Sequence, residues 1–174
     1  RIPKKNIREF CGRPIIAYSI EAALNSGCFD EVMVSTDDDE IADIARQYGA
    51  SVPFMRSEKT SNDFATTADV LLEVISQYKE QGKTFDCMCC IYPTAPFVTG
   101  KKLSDAMELI KNNEADSVAP FASFSVPPQW RASIDNKSFV TFKEPDSLMI
   151  RSQDLEKMYY DPGQFYVYKV VPFV

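Results

Sequence analysis

Apolar residues recur at helical spacing in four stretches of the chain. Ile16, Ile20, Ala23 and Leu24 share one face of a helix that Pro14 opens and Gly27 stops. Proline suits a first helical turn because its missing N–H has no partner there anyway. Residues 39–49 carry Ile41, Ile44, Ala45 and Tyr48, with Gly49 as terminator. Residues 67–81 place Val70, Leu71, Val74, Ile75 and Tyr78 on one face and end before Gly82. Residues 101–113 repeat the pattern through Leu103, Ala106, Met107 and Ile110.

Short β-rich runs lie between these helices, at 31–36, 51–54 and 116–120. Residues 86–92 form a nearly continuous apolar run, the pattern of a strand covered on both faces, and 164–170 read as a returning strand. Strand and helix in alternation predict a three-layer α/β domain with a mainly parallel sheet, in which 86–92 is a central parallel strand. Ligands bind such sheets beyond the carboxyl ends of the strands. Those ends are the polar or proline-punctuated segments 36–38, 53–56, 92–96 and Pro120 onward. After Pro120 the rhythm changes. Residues 121–145 are rich in aromatics and prolines, 137–143 predict a hairpin arm, and this middle portion is expected to cover the site or form a subunit contact.

Composition narrows the chemistry. With 174 residues the chain can bury one substantial core, and a net charge of −6 excludes general nucleic-acid binding. No apolar run reaches membrane-spanning length, so no membrane partner is expected. Five cysteines, an odd number without extracellular signature, predict reduced thiols and a cytoplasmic setting. Cys87, Cys89 and Cys90 lack zinc-ligand spacing and fit a buried strand better than a metal site. Histidine is absent, which removes Ser–His and Cys–His nucleophilic schemes. Catalysis would then fall to cations, carboxylates, backbone amides or an imported metal ion.

One cluster points to polyphosphate. Arg1, Lys4 and Lys5 stand beside Pro3 and Asn6, just ahead of Gly12-Arg13-Pro14. Taken alone, the cations fit a solvated chain end. Together with Val34-Ser35-Thr36-Asp37-Asp38 and Tyr92-Pro93-Thr94-Ala95-Pro96, in that order, the set resembles the cytidylyltransferases that activate acidic nine-carbon sugars. Residues 151–156 and 160–166 resemble the pseudaminic acid branch more than the sialic acid branch.

The resemblance implies a Rossmann-like, nucleotide-diphospho-sugar transferase fold, usually dimeric, that joins CTP and a 2-keto sugar acid with release of pyrophosphate. It implies a divalent cation, Mg, and attack by the sugar's anomeric hydroxyl on the α-phosphate. Positioning and electrostatics supply most of such catalysis, so histidine is not needed. Lys5 would be a point charge on the triphosphate, Asn6 a polar contact beside it, and Arg56 a second cation near the nucleotide. For Arg56 a surface salt bridge is an equal alternative. Thr67 would contact the nucleotide, while Asp63 and Thr66 fit helix caps as well. Pro93, Thr94 and Ala95 would present backbone groups to the nucleotide, in what is also a rigid proline turn. Tyr92 stands where the sialic acid branch commonly has glutamine, and with Arg131 and Gln164 it is a candidate for the acidic sugar. Gly163 fits a turn or a close backbone approach, Trp130 packing, and Asp37 and Asp38 a helix cap rather than a metal site.

The family pattern also implies a preceding strand with a phosphate loop and a following aspartate-rich metal segment. Residues 1–174 are therefore expected to be a single cytidylyltransferase domain without those two parts, and the metal ligands to lie outside it. CMP-sialic or CMP-legionaminic acid synthesis keeps the chemistry and changes the sugar. A non-catalytic nucleotide-binding or assembly module is the alternative from another class, and fold alone does not choose between them.

Overall fold

The computed structural model describes residues 2–112 and 114–174. Arg1 of the basic cluster, and Asn113 as the expected end of a helix, lie outside the described residues. In chain order the helices are α1 (Ile15–Ser26), α2 (Asp39–Gln47), α3 (Glu58–Ser61), α4 (Thr67–Glu80), α5 (Gly100–Asn112) and α6 (Val170–Phe173). The strands are β1 (Glu9–Phe10), β2 (Arg13–Pro14), β3 (Cys87–Ile91), β4 (Ser117–Val118), β5 (Ala122–Ser123), β6 (Ala132–Ile134), β7 (Val140–Phe142), β8 (Tyr159–Tyr160) and β9 (Phe165–Lys169).

The chain forms two compact units. The first, here the framework, runs up to Ala119 and resumes at Gly163–Val174; the second, the insert, is Pro120–Pro162. In the framework the four long helices stand where the periodicity puts them. Gly27 caps α1 at φ 65°, a left-handed position that costs glycine nothing. Pro14 differs from expectation: with ψ 134° it is extended, pairs in β2 and precedes the helix rather than opening its first turn.

The α/β class holds, but the recorded strand ladders are antiparallel. β9 is the middle strand of a three-stranded sheet, and both β3 and β4 pair with it antiparallel. β3 is thus at one end of this order and half-buried, not a central parallel strand. The physical reason is the late return of the chain, because β9 enters between two strands already joined by α5. β3 and β4, each antiparallel to β9, still run in the same direction, which is the βαβ relation that the alternation predicts. A parallel pairing does occur as the isolated bridge Met33–Ser51, which is all that forms from the expected strands 31–36 and 51–54.

Alternation along β9 separates its two faces. Phe165 and Val167 are buried in a core with Leu103, Ala106 and Ile110 of α5 and Ala22 and Ala23 of α1. Tyr166 and Tyr168 stack on each other, 6.4 Å between centroids, on the opposite face. Ile16 and Ile20 of α1 join Ala45 and Ala50 in a second core. Helix α1 therefore ties both cores together.

The insert is built from β5 paired with β8 and a β6–β7 hairpin. The hairpin begins earlier than the expected 137–143, and Asp135 closes it by accepting from the backbone N–H of Lys137 and Phe139.

Candidate functional site

The basic turn is a short 3-10 turn, Lys5–Ile7, packed on α1 and α2. Lys4 precedes it at φ 49° and pairs with Glu40 in the first turn of α2. That hydrogen bond and the Glu40 charge hold the Lys4 ammonium above its ordinary pKa. Lys5 is exposed, and its ammonium has no bonded partner among the described residues. Of two adjacent cations, one is neutralised within the chain and the other is available. Asn6 is half-buried, and its side-chain oxygen is enclosed without a donor.

Arg56 reaches the same region from another element. Its backbone N–H donates to Thr36 O at 2.8 Å, its Nε to Ser35 Oγ at 3.0 Å, and its Nη2 to Ser35 O. It has no carboxylate partner among the described residues, so the salt-bridge alternative is not what the structure contains. Burial pushes the Cys90 thiol up to about 11, and the Arg56 charge acts in the opposite direction. Asp38 caps α2 as expected, accepting from Glu40 N at 2.9 Å and Ile41 N at 3.2 Å. Segment 35–40 thus carries Arg56 on Ser35 and Thr36, and Lys4 on Glu40. Lys5 is the next residue.

Thr66 caps α4 in a reciprocal capping box with Asp69, whose carboxyl is held below its ordinary pKa by the Thr66 hydroxyl and then by its N–H. Thr67 is the exposed first residue of that helix. A groove beside it includes Glu73 and Asp69. Both carboxylates are engaged internally, Glu73 by Ser57, Thr60 and Gln77.

Beyond β3 the chain makes two successive turns. Ala95 N donates to Tyr92 O at 3.2 Å and Val98 N to Ala95 O at 3.1 Å, so Pro93 and Pro96 each occupy the second turn position, where a fixed φ is favoured. Thr94 is exposed, Pro93 half-buried and Ala95 buried. Tyr92 N donates to Gln164 O at 2.9 Å, and the Tyr92 ring meets Tyr166 edge-on at 5.6 Å. Tyr92 and Gln164 are thereby neighbours, through the backbone of Gln164.

Arg131 belongs to the insert. It is exposed and paired with Glu144 at 2.5 Å. Trp130 Nε1 donates to Ser147 O at 3.0 Å, in keeping with packing. Gln129 is 8% exposed, anchored through Nε2 to Glu156 O at 2.9 Å.

Two residues given no role of their own in the sequence fasten candidate site residues. Ser35 fastens Arg56, and Ser19 of α1 donates to Tyr92 O at 2.9 Å. Ser19 left a signal: it falls in register with Ile16, Ile20 and Ala23, and a hydroxyl on a buried stripe must find a partner. Nothing in the local pattern marks Ser35. The five cysteines are all free thiols, with Cys87, Cys89 and Cys90 half-buried on β3. Among the described residues no cluster of three or more carboxylates or thiols could cage a metal ion, so these residues do not by themselves fit the expected divalent cation. Nor is any described helix long and apolar enough to cross a membrane.

The framework carries Lys5 on its turn, Arg56 against Ser35 and Thr36, and the 92–96 turns after β3, on an α/β scaffold of the kind that binds ligands beyond strand ends. The family model for cytidylyltransferases matches residues 1–168, and the chain belongs to that family of nucleotidyltransferases. A pseudaminic acid cytidylyltransferase of Campylobacter jejuni subsp. jejuni serotype O:2 is 40% identical over 166 residues, 95% of this chain and 72% of that one. A CMP-N,N'-diacetyllegionaminic acid synthase of Legionella pneumophila is 38% identical over 137 residues, 79% of this chain and 59% of that one. Among solved structures, a CMP:2-keto-3-deoxy-manno-octonic acid synthetase complexed with CTP superposes with a TM-score of 0.69 at 18% identity, covering 97% of this chain and 68% of that one, a likeness of fold.

Proposed function

We propose that the protein transfers a cytidylyl group from CTP to pseudaminic acid, giving CMP-pseudaminic acid and pyrophosphate. The 40% identity sustained over 95% of the chain carries this reading. In the reaction the sugar's anomeric oxygen bonds to the α-phosphorus and the bond from that phosphorus to the pyrophosphate oxygen breaks. The proton of the anomeric hydroxyl is released and pyrophosphate departs with the bonding pair. Lys5, the uncompensated cation, and Arg56, held by Ser35, would offset the charge that gathers on the phosphate oxygens. Asn6 would meet a phosphate or sugar group. Thr67, Pro93, Thr94 and Ala95 would line the nucleotide, and Tyr92 and Gln164 the acidic sugar; Arg131 of the insert is a separate candidate for a contact to that sugar. A divalent cation, Mg, remains part of the proposal, and chelation with metal add-back tests it.

A homodimer in a cytoplasmic setting completes the reading. In the insert Ile134, Phe139 and Met149 are 71%, 67% and 90% exposed, while the single buried residue is Gln129. An apolar surface of that kind suits a second copy of the chain. Sedimentation of the intact protein, with and without Ile134→Lys, tests it.

The deciding experiment incubates the intact protein with CTP and equal concentrations of pseudaminic, legionaminic and N-acetylneuraminic acids. CMP-sugars are then separated by mass. CMP-pseudaminic acid should dominate. Dominance of the legionaminic product would favour the second reading, which 38% identity to the Legionella enzyme supports. No product from any sugar would favour a non-catalytic module.

A further inference from the structure

Tyr92 is fixed at nearly every point except one. Its N–H is held by Gln164 O at 2.9 Å, and its carbonyl accepts from Ala95 N and from Ser19 Oγ, the latter at 2.9 Å across 73 residues of sequence. Its ring lies against Tyr166 and over Gly163, where an added Cβ would come within 3.6 Å of ring Cε2. Its hydroxyl has no hydrogen-bond partner among the described residues. Among the described residues the one side chain that bonds the Tyr92 backbone is Ser19, 5% exposed, on a helix that also packs against the Lys5–Ile7 turn.

We propose that Ser19 is a positioning residue: by holding the Tyr92 carbonyl, it sets where the free Tyr92 hydroxyl meets the sugar relative to Lys5, whose turn packs on the same helix. This rests on the proposed cytidylyl transfer. A hydroxyl in a helix ordinarily returns to a carbonyl of its own preceding turn. Ser19 instead bonds the loop beyond β3, so one rigid helix spaces the phosphate side from the sugar side. The Tyr92 carbonyl keeps its bond from Ala95 when Ser19 is lost, so the turn survives but is no longer tied to α1.

Two measurements on the intact protein decide the matter. The first is amide hydrogen exchange in Ser19→Ala and Ser19→Thr. Exchange at Tyr92 and Ala95 should rise about 3- to 10-fold in Ser19→Ala, the worth of one neutral hydrogen bond. It should stay unchanged within β3 and return towards wild type in Ser19→Thr. Unchanged exchange at Tyr92 and Ala95 would overturn the proposal. The second is a double-mutant cycle with Tyr92→Phe, read as kcat/KM for the sugar at saturating CTP. Ser19→Ala should cost several-fold with Tyr92 present and little with Tyr92→Phe. Equal losses in both backgrounds would show a merely structural serine. A wild type without turnover would sink the proposed function, and the exchange data would still decide whether Ser19 positions the turn.

Discussion

The framework and the insert solve the problem of order differently. In the framework Leu103, Ile110 and Val167 are fully buried, and the paired strands β3 and β9 run five residues each. In the insert no strand exceeds three residues, and the one buried side chain is an amide. The insert keeps its shape through side-chain bonds to backbone: Gln129 to Glu156, Trp130 to Ser147, and Asp135 to its own turn. Such bonds fix positions, yet each contributes only about 1 kcal/mol net. Apolar burial supplies most of the driving force for folding. The framework therefore holds its order through apolar burial, whereas the insert leaves Ile134, Phe139 and Met149 largely exposed.

The widest separation should appear in unfolding. Leu103→Ala removes side-chain volume from the α1–α5–β9 core and should cost about 3 kcal/mol or more. Ile134→Ala, at an exposed position of the insert, should change the stability of the isolated subunit by less than about 0.5 kcal/mol. Denaturant titration of both variants checks this. Equal costs would mean that the insert has a core of its own and that the contrast is false.

The same contrast decides what could be read in advance. Helices α1, α2, α4 and α5 were legible because burial on one face leaves a period in the sequence, and caps such as Thr66 and Gly27 mark their ends. Strand direction was not legible. The run at 164–170 reads as a strand, but which neighbours it enters between depends on the route of the chain through the insert, and no local pattern encodes that route. For the candidate site, resemblance singled out Lys5, Arg56 and Tyr92, and strand-end position pointed to Arg56 and Tyr92 as well. Arg56's attachment to Ser35 was not legible, because a serine at a strand end has many possible partners. Ser19 was legible in principle, as a polar residue on an apolar stripe.

Activity offers a finer test of where the site resides. Lys5→Ala should reduce kcat/KM at least about tenfold, or ~1.4 kcal/mol, by removing a cation with no internal partner. Arg131→Ala should act differently, raising KM for the acidic sugar alone and by less, because Arg131 is already paired with Glu144. Unchanged kinetics in a folded Lys5→Ala would return Lys5 to the solvated surface. A loss for Arg131→Ala as large as for Lys5→Ala would give Arg131 a role in turnover equal to that of Lys5. Smaller again is Thr66→Ala, which removes the α4 cap and should cost about 1 kcal/mol of framework stability with little effect on KM. A large rise in KM for CTP without loss of stability would instead assign this helix start to the nucleotide.

The smallest expected effect concerns acid. Three carboxylates held below their ordinary pKa, Glu31, Asp69 and Glu73, all lie in the framework. Glu31 is the hub that joins the 31–36 and 51–54 segments to α4. Burial alone would raise its pKa, but hydrogen bonds from Lys83, Tyr78 and Ser51 outweigh that and lower it. A carboxyl whose folded pKa is depressed stabilises the fold above its unfolded pKa, and that contribution fades as pH falls through the folded value. The loss should therefore begin near pH 4.5 and continue below it. Glu31→Gln can still accept from Tyr78 and Ser51 but lacks the charge that Lys83 meets, so its unfolding midpoint should fall less between pH 6 and 3 than the wild type's. The difference should be modest because Asp69 and Glu73 still titrate. Parallel acid curves for the two proteins would show that the Glu31 charge adds nothing to the framework, leaving its acid sensitivity to the two carboxylates around the start of α4.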